Sequence, residues 1–436
     1  MGDEALPRSL ADWRAVAPAE RARLRAVVAQ VARGSAHGDW IAVADADAEP
    51  GAGVLAGIPF SVKDNIDVAG FATTAGSPLL GDEPVAVDAG AVGALRNAGA
   101  VVAGKTNLHE LAFGITGENA AFGPVRNPAD PSRSAGGSSS GSAVGVALGV
   151  VPFGLGTDTG GSITVPASFC GVVGFRPSTG RYPGDGVVNL STSRDTIGVH
   201  AHTVRDVRTV DEVLTRDLAD RTPPAAVAGL RIGLPRDRFA DLDPEVARVV
   251  DDAVAALDRA GAHLVEVDLE PPGLAGVAIV FYEGLRLLAG RVDGPPADWP
   301  GRVASPDVRA LIASMVGSPA TVEAYEGARR ARWAVRDAYA DLFREVDVLL
   351  APTSPVPPPP LGRGDGIELN GRRVPTFATV VRNTDPGTVA GVPMISLPAG
   401  RTRDGLPVGV CLEARAFGDS SLLHVAEAVE AVLAAR

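Results

Sequence analysis

Lysine is nearly missing from this chain: Lys63 and Lys105 are the two examples among 40 lysine-or-arginine positions. Arginine serves wherever a generic positive charge is enough. It stays protonated in a protein, whereas a desolvated lysine can shed its proton and act as a base. A position that keeps lysine is therefore a candidate for chemistry that a guanidinium cannot do. Cysteine is equally scarce. Cys170 and Cys411 cannot make a disulfide framework, so a reducing, cytoplasmic setting is expected. Positive charge is short as well, and a formal net charge of -12 argues against nucleic acid or an anionic membrane as the main partner. The most apolar run, residues 143–155, is too short and too rich in glycine to span a bilayer. Residues 1–10 are charged and hold no apolar signal-peptide core. The six histidines, His37, His109, His200, His202, His263 and His424, form no tight ligand cluster, so no metal is expected.

What is present is ample apolar material, 46% of residues, in a chain long enough for one large domain or two to three small ones. Apolar spacing of three to four over residues 9–33 predicts one surface helix ending at Gly34. Strands are expected at 58–62, 100–103, 263–267, 346–351, 394–397 and 408–412. Helices are expected at 88–97, 142–148, 243–260, 321–343 and 421–435. Residues 270–320 are less patterned, with proline-rich turns, and read as an irregular, substrate-facing region. This alternation predicts an α/β layered fold, a single large domain whose central mixed sheet is covered by helices on both faces. Residues 1–45 read as an N-terminal helical segment packing on the core, and 46–436 as the main domain.

Two familiar spellings fail on context. Gly99, Gly104, Lys105 and Thr106 satisfy a Walker A phosphate loop. That loop needs a strand before its first glycine, and here a helix precedes Gly99 while the intervening residues are themselves the strand. Gly137, Ser139 and Gly141 fit a nucleophile elbow centred on Ser139, but an elbow caps a hydrophobic strand and residues 127–135 are polar with two prolines. Its histidine would have to be His424, on the closing helix. Cys170 reads as a buried apolar residue rather than a nucleophile.

A different set survives. Lys63 ends an apolar segment, and two serine–glycine segments follow, at 136–141 and 156–162. A base-capable amine and glycine-cradled serines are the parts of a nucleophilic hydrolase that needs no histidine. Gly136-Gly137-Ser138-Ser139 and Gly156-Thr157-Asp158-Thr159-Gly160-Gly161-Ser162-Ile163 resemble the two halves of the amidase signature family motif. Gly57-Ile58-Pro59 with Lys63-Asp64-Asn65 resembles its lysine segment. Lys105-Thr106-Asn107-Leu108-His109-Glu110, Phe169-Cys170-Gly171 and the stretches 347–355 and 406–410 follow in the family's order. The likeness covers roughly residues 50 to 436. Residues 112–116 and 123–128, Arg194-Asp195-Thr196 and Asn383-Thr384-Asp385-Pro386-Gly387 look most like the indoleacetamide and mandelamide hydrolases of that family.

The resemblance implies a Ser–cis-Ser–Lys triad, with Ser162 as nucleophile, Ser138 as bridging serine and Lys63 as base. It implies a cis peptide at Gly137–Ser138 and an oxyanion hole over Thr159, Gly160, Gly161 and Ser162. Ser139 and Asp158 would support the site, Phe113 and Ile115 would line the substrate pocket, and Lys105 and His109 would be structural. Two departures stand out. Thr164 replaces the family's usual Arg two residues after the nucleophile, removing a cation expected near Asp158, and Ser140 replaces a usual Gly. The expected function is hydrolysis of small amides with an aromatic or apolar acyl group, without a cofactor. The resemblance leaves a homodimer open. Carbamate, anilide or ester hydrolysis, an amidotransferase-type subunit passing ammonia to a partner, and a binding protein that has lost catalysis are the rivals.

Overall fold

The structure, a computed structural model, describes residues 6–46, 50–216 and 226–436. Its centre is an 11-stranded sheet among the described residues. From one edge to the other the strands run Trp40–Val43, Val101–Thr106, Pro59–Lys63, Phe153–Asp158, Thr196–Ala201, Val173–Arg176, Met394–Arg401, Pro407–Glu413, Val348–Pro352, Arg231–Pro235 and His263–Val267. Pro59–Lys63 is parallel to both of its neighbours, as is Arg231–Pro235, while the strands between them pair antiparallel. The sheet is therefore mixed, as expected.

Both faces are covered. Successive residues of a strand point to opposite faces, yet every residue of Pro59–Lys63, Val101–Thr106, Phe153–Asp158 and Pro407–Glu413 is buried. Helix Thr164–Cys170, buried along its whole length, packs on Met394–Arg401 and Pro407–Glu413, which also receive Pro244–Arg259 and Asp419–Ala434. Phe60 and Phe153 face each other across adjacent strands with stacked rings 5.3 Å apart, fixing that register in the core.

Two expectations need correction. Residues 9–33 form two helices, Leu10–Ala15 and Pro18–Arg33, because Pro18 lacks an N–H and holds Ala17 extended. From residue 6 the N-terminal segment, besides its helices, contributes an edge strand, Trp40–Val43, paired with Val101–Thr106, while its Leu10 and Trp13 are buried in the main core. Residues 270–320 are largely regular, with helices Ala275–Ala289 and Pro306–Gly317. The first is apolar on most sides and so shows no clean period, and Pro296, Pro300 and Pro306 open short helices rather than break them. Among the described residues no helix is long and apolar enough to cross a membrane.

Candidate active site

Lys63 is the last residue of its strand, at the carboxyl end of the parallel strands where α/β sheets place their sites. Its side chain is 0% exposed. Nζ donates to Ser138 Oγ at 2.7 Å and to Thr157 Oγ1 at 2.8 Å. Burial pushes the amine down to about 7, against the pull of Asp158 and Asp195. Lys105, by contrast, forms a buried ion pair with Asp64 at 3.1 Å and donates to the Ala72 carbonyl, within a strand that offers no phosphate loop.

Ser138 reaches Lys63 from the turn before helix Ser140–Ala147, and the Gly137–Ser138 peptide is cis. This small-residue helix sits close to the sheet. A Cβ on Gly141 would collide with the Asp39 carbonyl and lie 2.7 Å from the Asn107 carbonyl. Ser139 Oγ donates to the Thr157 carbonyl and accepts the Thr157 N–H, so it steadies the residue that holds Lys63. Fully buried and so engaged, Ser139 is no elbow nucleophile. The Ser140 hydroxyl turns back to the Gly136 carbonyl at 2.6 Å, away from the amine.

Ser162 opens onto a cavity at the turn before helix Thr164–Cys170. Its carbonyl accepts the Ser139 N–H at 3.3 Å, and no bond between the Ser138 and Ser162 hydroxyls forms among the described residues. Asp158 organises this turn. One carboxylate oxygen accepts the Gly161 N–H at 2.9 Å and the other the Ile163 N–H at 2.7 Å. The Gly161 N–H, expected in the oxyanion hole, is thus already engaged. Residue 164 is threonine, yet a cation does sit beside Asp158: Arg176 Nε, from strand Val173–Arg176, lies 3.3 Å away, with both side chains wholly buried.

Further residues support the site from neighbouring segments. Asp195 accepts the Thr159 hydroxyl at 2.7 Å and two backbone N–H groups, and burial pushes it up to about 6. His200, on Thr196–Ala201, is driven down to about 4 by burial, so its ring is neutral and Nε2–H donates to the Ile163 carbonyl at 2.9 Å. Asn65 donates to Thr157 Oγ1 at 3.1 Å, so that hydroxyl has donors on two sides.

The cavity has a volume of about 380 Å³ and is mostly apolar, with Phe113, Ile115, Val280, Phe281, Leu311 and Phe377 in its wall. Phe113 and Ile115 were expected there. His109, read from the sequence as structural, also faces it: Nε2 bonds Asp307 at 2.9 Å, and Nδ1 meets the Thr116 hydroxyl at 3.3 Å. Among the described residues no group of three His, Cys, Asp or Glu side chains could hold a metal ion.

Comparison with known proteins identifies the family. The family model "Amidase" matches residues 36–423. The chain is 40% identical over 405 residues to an indoleacetamide hydrolase of Agrobacterium vitis, covering 88% of this chain and 85% of that protein. It is 36% identical over 411 residues to a mandelamide hydrolase of Pseudomonas putida, covering 87% and 79%. A crystal structure of an amidase superposes with a TM-score of 0.87 at 35% identity, covering 97% of both chains. The chain belongs to the amidase family. It is an amide-hydrolysing enzyme.

Proposed function

We propose that the enzyme hydrolyses small amides with an aromatic or apolar acyl group through an acyl-enzyme on Ser162. The observation that carries this reading is the 2.7 Å bond from Lys63 Nζ to Ser138 Oγ, made by an amine with no access to solvent. A serine hydroxyl is a weak nucleophile until a base takes its proton. With Lys63 brought down to about 7, a large fraction of the amine is neutral near pH 7 and can accept one.

Substrate entering the cavity sets its carbonyl oxygen in the turn at residues 159–162. Catalytic hydrogen bonds often close only in the bound complex, and rotation of the Ser162 hydroxyl toward Ser138 completes the relay. Ser162 Oγ then attacks the carbonyl carbon while its proton passes to Ser138 and the Ser138 proton passes to Lys63. The oxyanion is met by the N–H groups of the turn that Asp158 leaves free. The Lys63 proton returns through Ser138 to the leaving nitrogen, the C–N bond breaks, and ammonia or an amine departs. Water, activated by the same relay, attacks the ester and frees the acid.

The apolar wall supports an aromatic or aliphatic acyl group, as do relatives named for indoleacetamide and mandelamide. The test is turnover by the isolated chain of a panel of primary amides, anilides, carbamates and esters with matched acyl groups. Hydrolysis of arylacetamides that vanishes in Ser162→Ala is expected. Turnover unchanged in Ser162→Ala, or ammonia released only with a partner protein, would overturn the reading.

A further inference from the structure

The cavity wall and the oxyanion turn meet in one loop, residues 190–195, and a buried carboxylate outside the relay holds it. Glu283 lies on helix Ala275–Ala289 and is 7% exposed. One of its oxygens accepts the Ser191 hydroxyl, and also the Ser193 N–H and hydroxyl at 3.1 Å each. The other accepts the Tyr325 hydroxyl at 2.6 Å, from helix Val322–Glu345. Tyr325 is itself fixed, its ring stacked on that of Tyr282 with centroids 4.1 Å apart.

The inner side of the same loop reaches the reacting centre. Asp195 Oδ2 accepts the Leu190 and Ser191 N–H groups, while Oδ1 accepts the Thr159 hydroxyl at 2.7 Å, where the oxyanion turn begins. Ser191 is therefore gripped twice, by Asp195 at its N–H and by Glu283 at its hydroxyl. Arg194, in the same loop, donates to Asp385 at 2.7 Å and to Thr388 at 2.9 Å, which pins the loop to helix Asp385–Ala390.

Helix Ala275–Ala289 closes the circuit. Val280 and Phe281 line the cavity, and Glu283 follows Val280 by three residues, so both lie on one helix face. Residue 284 is glycine where the helix abuts the loop: a Cβ there would lie 3.0 Å from the Leu190 carbonyl oxygen. An apolar acyl group seated on Val280 and Phe281 thus presses on the element that carries Glu283.

Hydrogen bonds to a carboxylate are stronger than those between neutral groups, and three converge on one oxygen here. Binding energy from a part of the substrate remote from the scissile bond raises kcat when it is realised in the transition state. We infer that Glu283 is a positioning residue for the oxyanion turn: through Ser191, Ser193 and Asp195 it converts the seating of an apolar acyl group into alignment of the N–H groups that meet the oxyanion. The size of the acyl group is then read in kcat as well as in KM. This rests on the acyl-enzyme reading above.

The test is steady-state kinetics of the whole chain with acetamide and phenylacetamide, which share a leaving group. In the native enzyme kcat for phenylacetamide should exceed that for acetamide by about tenfold or more. Glu283→Leu should bring this kcat ratio to within about threefold of one, with KM for phenylacetamide changed by less than about threefold. Glu283→Gln should restore the ratio to within about threefold of native, since its amide oxygen can take the serine donors and its NH2 can donate to Tyr325. Asp195→Asn added to Glu283→Leu should lower the ratio no further, because both act through one loop. Tyr325→Phe, which removes the outer anchor of Glu283, should lower the ratio in the same sense and decides the matter if Glu283→Leu does not fold. A merely structural role would lower kcat for both substrates alike and leave the ratio intact. A native ratio near one, an unchanged ratio in the folded variants, or a glutamine variant as impaired as leucine overturns the inference. Failure to hydrolyse any amide, with Ser162 unlabelled by a fluorophosphonate, instead overturns the acyl-enzyme reading and this inference with it.

Discussion

Arg176 and Asp158 meet at 3.3 Å with both side chains at 0% exposure, and the carboxylate so paired spans the Gly161 and Ile163 N–H groups on either side of Ser162. The cation behind the nucleophile turn thus sits on strand Val173–Arg176. Removing one partner of a buried pair strands the other charge, at about 3–5 kcal/mol. Arg176→Met should lose stability on that scale. Thr164→Val, which gives up only a 3.4 Å contact to the Gly161 carbonyl, should cost about 1 kcal/mol or less. Chemical denaturation of both variants checks the contrast, and equal losses would contradict it.

Asp158→Asn keeps the shape but not the acceptors. An amide has one oxygen where the carboxylate uses two, so the Gly161 or the Ile163 N–H loses its partner and an NH2 group faces a donor. Catalysis should suffer more than binding, since the turn positions both the nucleophile and the oxyanion donors. A fall in kcat of about 100-fold with a small change in KM is expected from steady-state kinetics.

His109 ties Asp307, on helix Pro306–Gly317, to the floor of the cavity. Asp307 is 53% exposed, so the bond contributes to stability only modestly, but it holds one wall of the cavity in place. His109→Ala should raise KM for arylacetamides by about tenfold while kcat changes by less than about threefold. An equal fall in kcat would place His109 in the chemistry.

The depressed Lys63 also makes a statement about stability. Its ordinary value is 10.5 and the folded value is about 7, so between these limits the unfolded chain binds a proton that the folded chain does not. Stability then rises with pH across that window, and this contribution is flat below about 7. Lys63→Met lacks the titration. Denaturation midpoints of the native enzyme and of Lys63→Met, measured side by side from about pH 6 to 10, should diverge in favour of the native enzyme as pH rises. Parallel curves would mean that Lys63 is protonated in the folded state throughout.

How far the sequence could be read follows from how local each feature is. Lys63, Ser138 and Ser162 stand out because rarity or a contiguous motif marks them, and the 2.7 Å Lys63–Ser138 bond joins residues that the motifs alone could pair. The alternating elements of the sheet were legible for the same reason, since period and turn residues are local. Arg176 and His200 were not. They arrive on strands whose neighbours in space are far apart in the chain, and an ordinary charged or aromatic residue in a strand carries no mark of what it faces. Arg194 and Asp385 did carry one, as both lie in segments that resemble the same branch of the family, although nothing local says that they touch. The helical character of 270–320 was hidden by a helix apolar on most sides and by prolines at helix starts.

The rate at which a fluorophosphonate labels Ser162, followed by mass mapping from about pH 5 to 10, tests the proton relay most directly. A single rise through about pH 7 to a plateau, abolished in Lys63→Met and Lys63→Arg, is expected from a neutral buried amine acting through Ser138. A rate that ignores pH through that range, or a label found on Ser139 instead of Ser162, would contradict it.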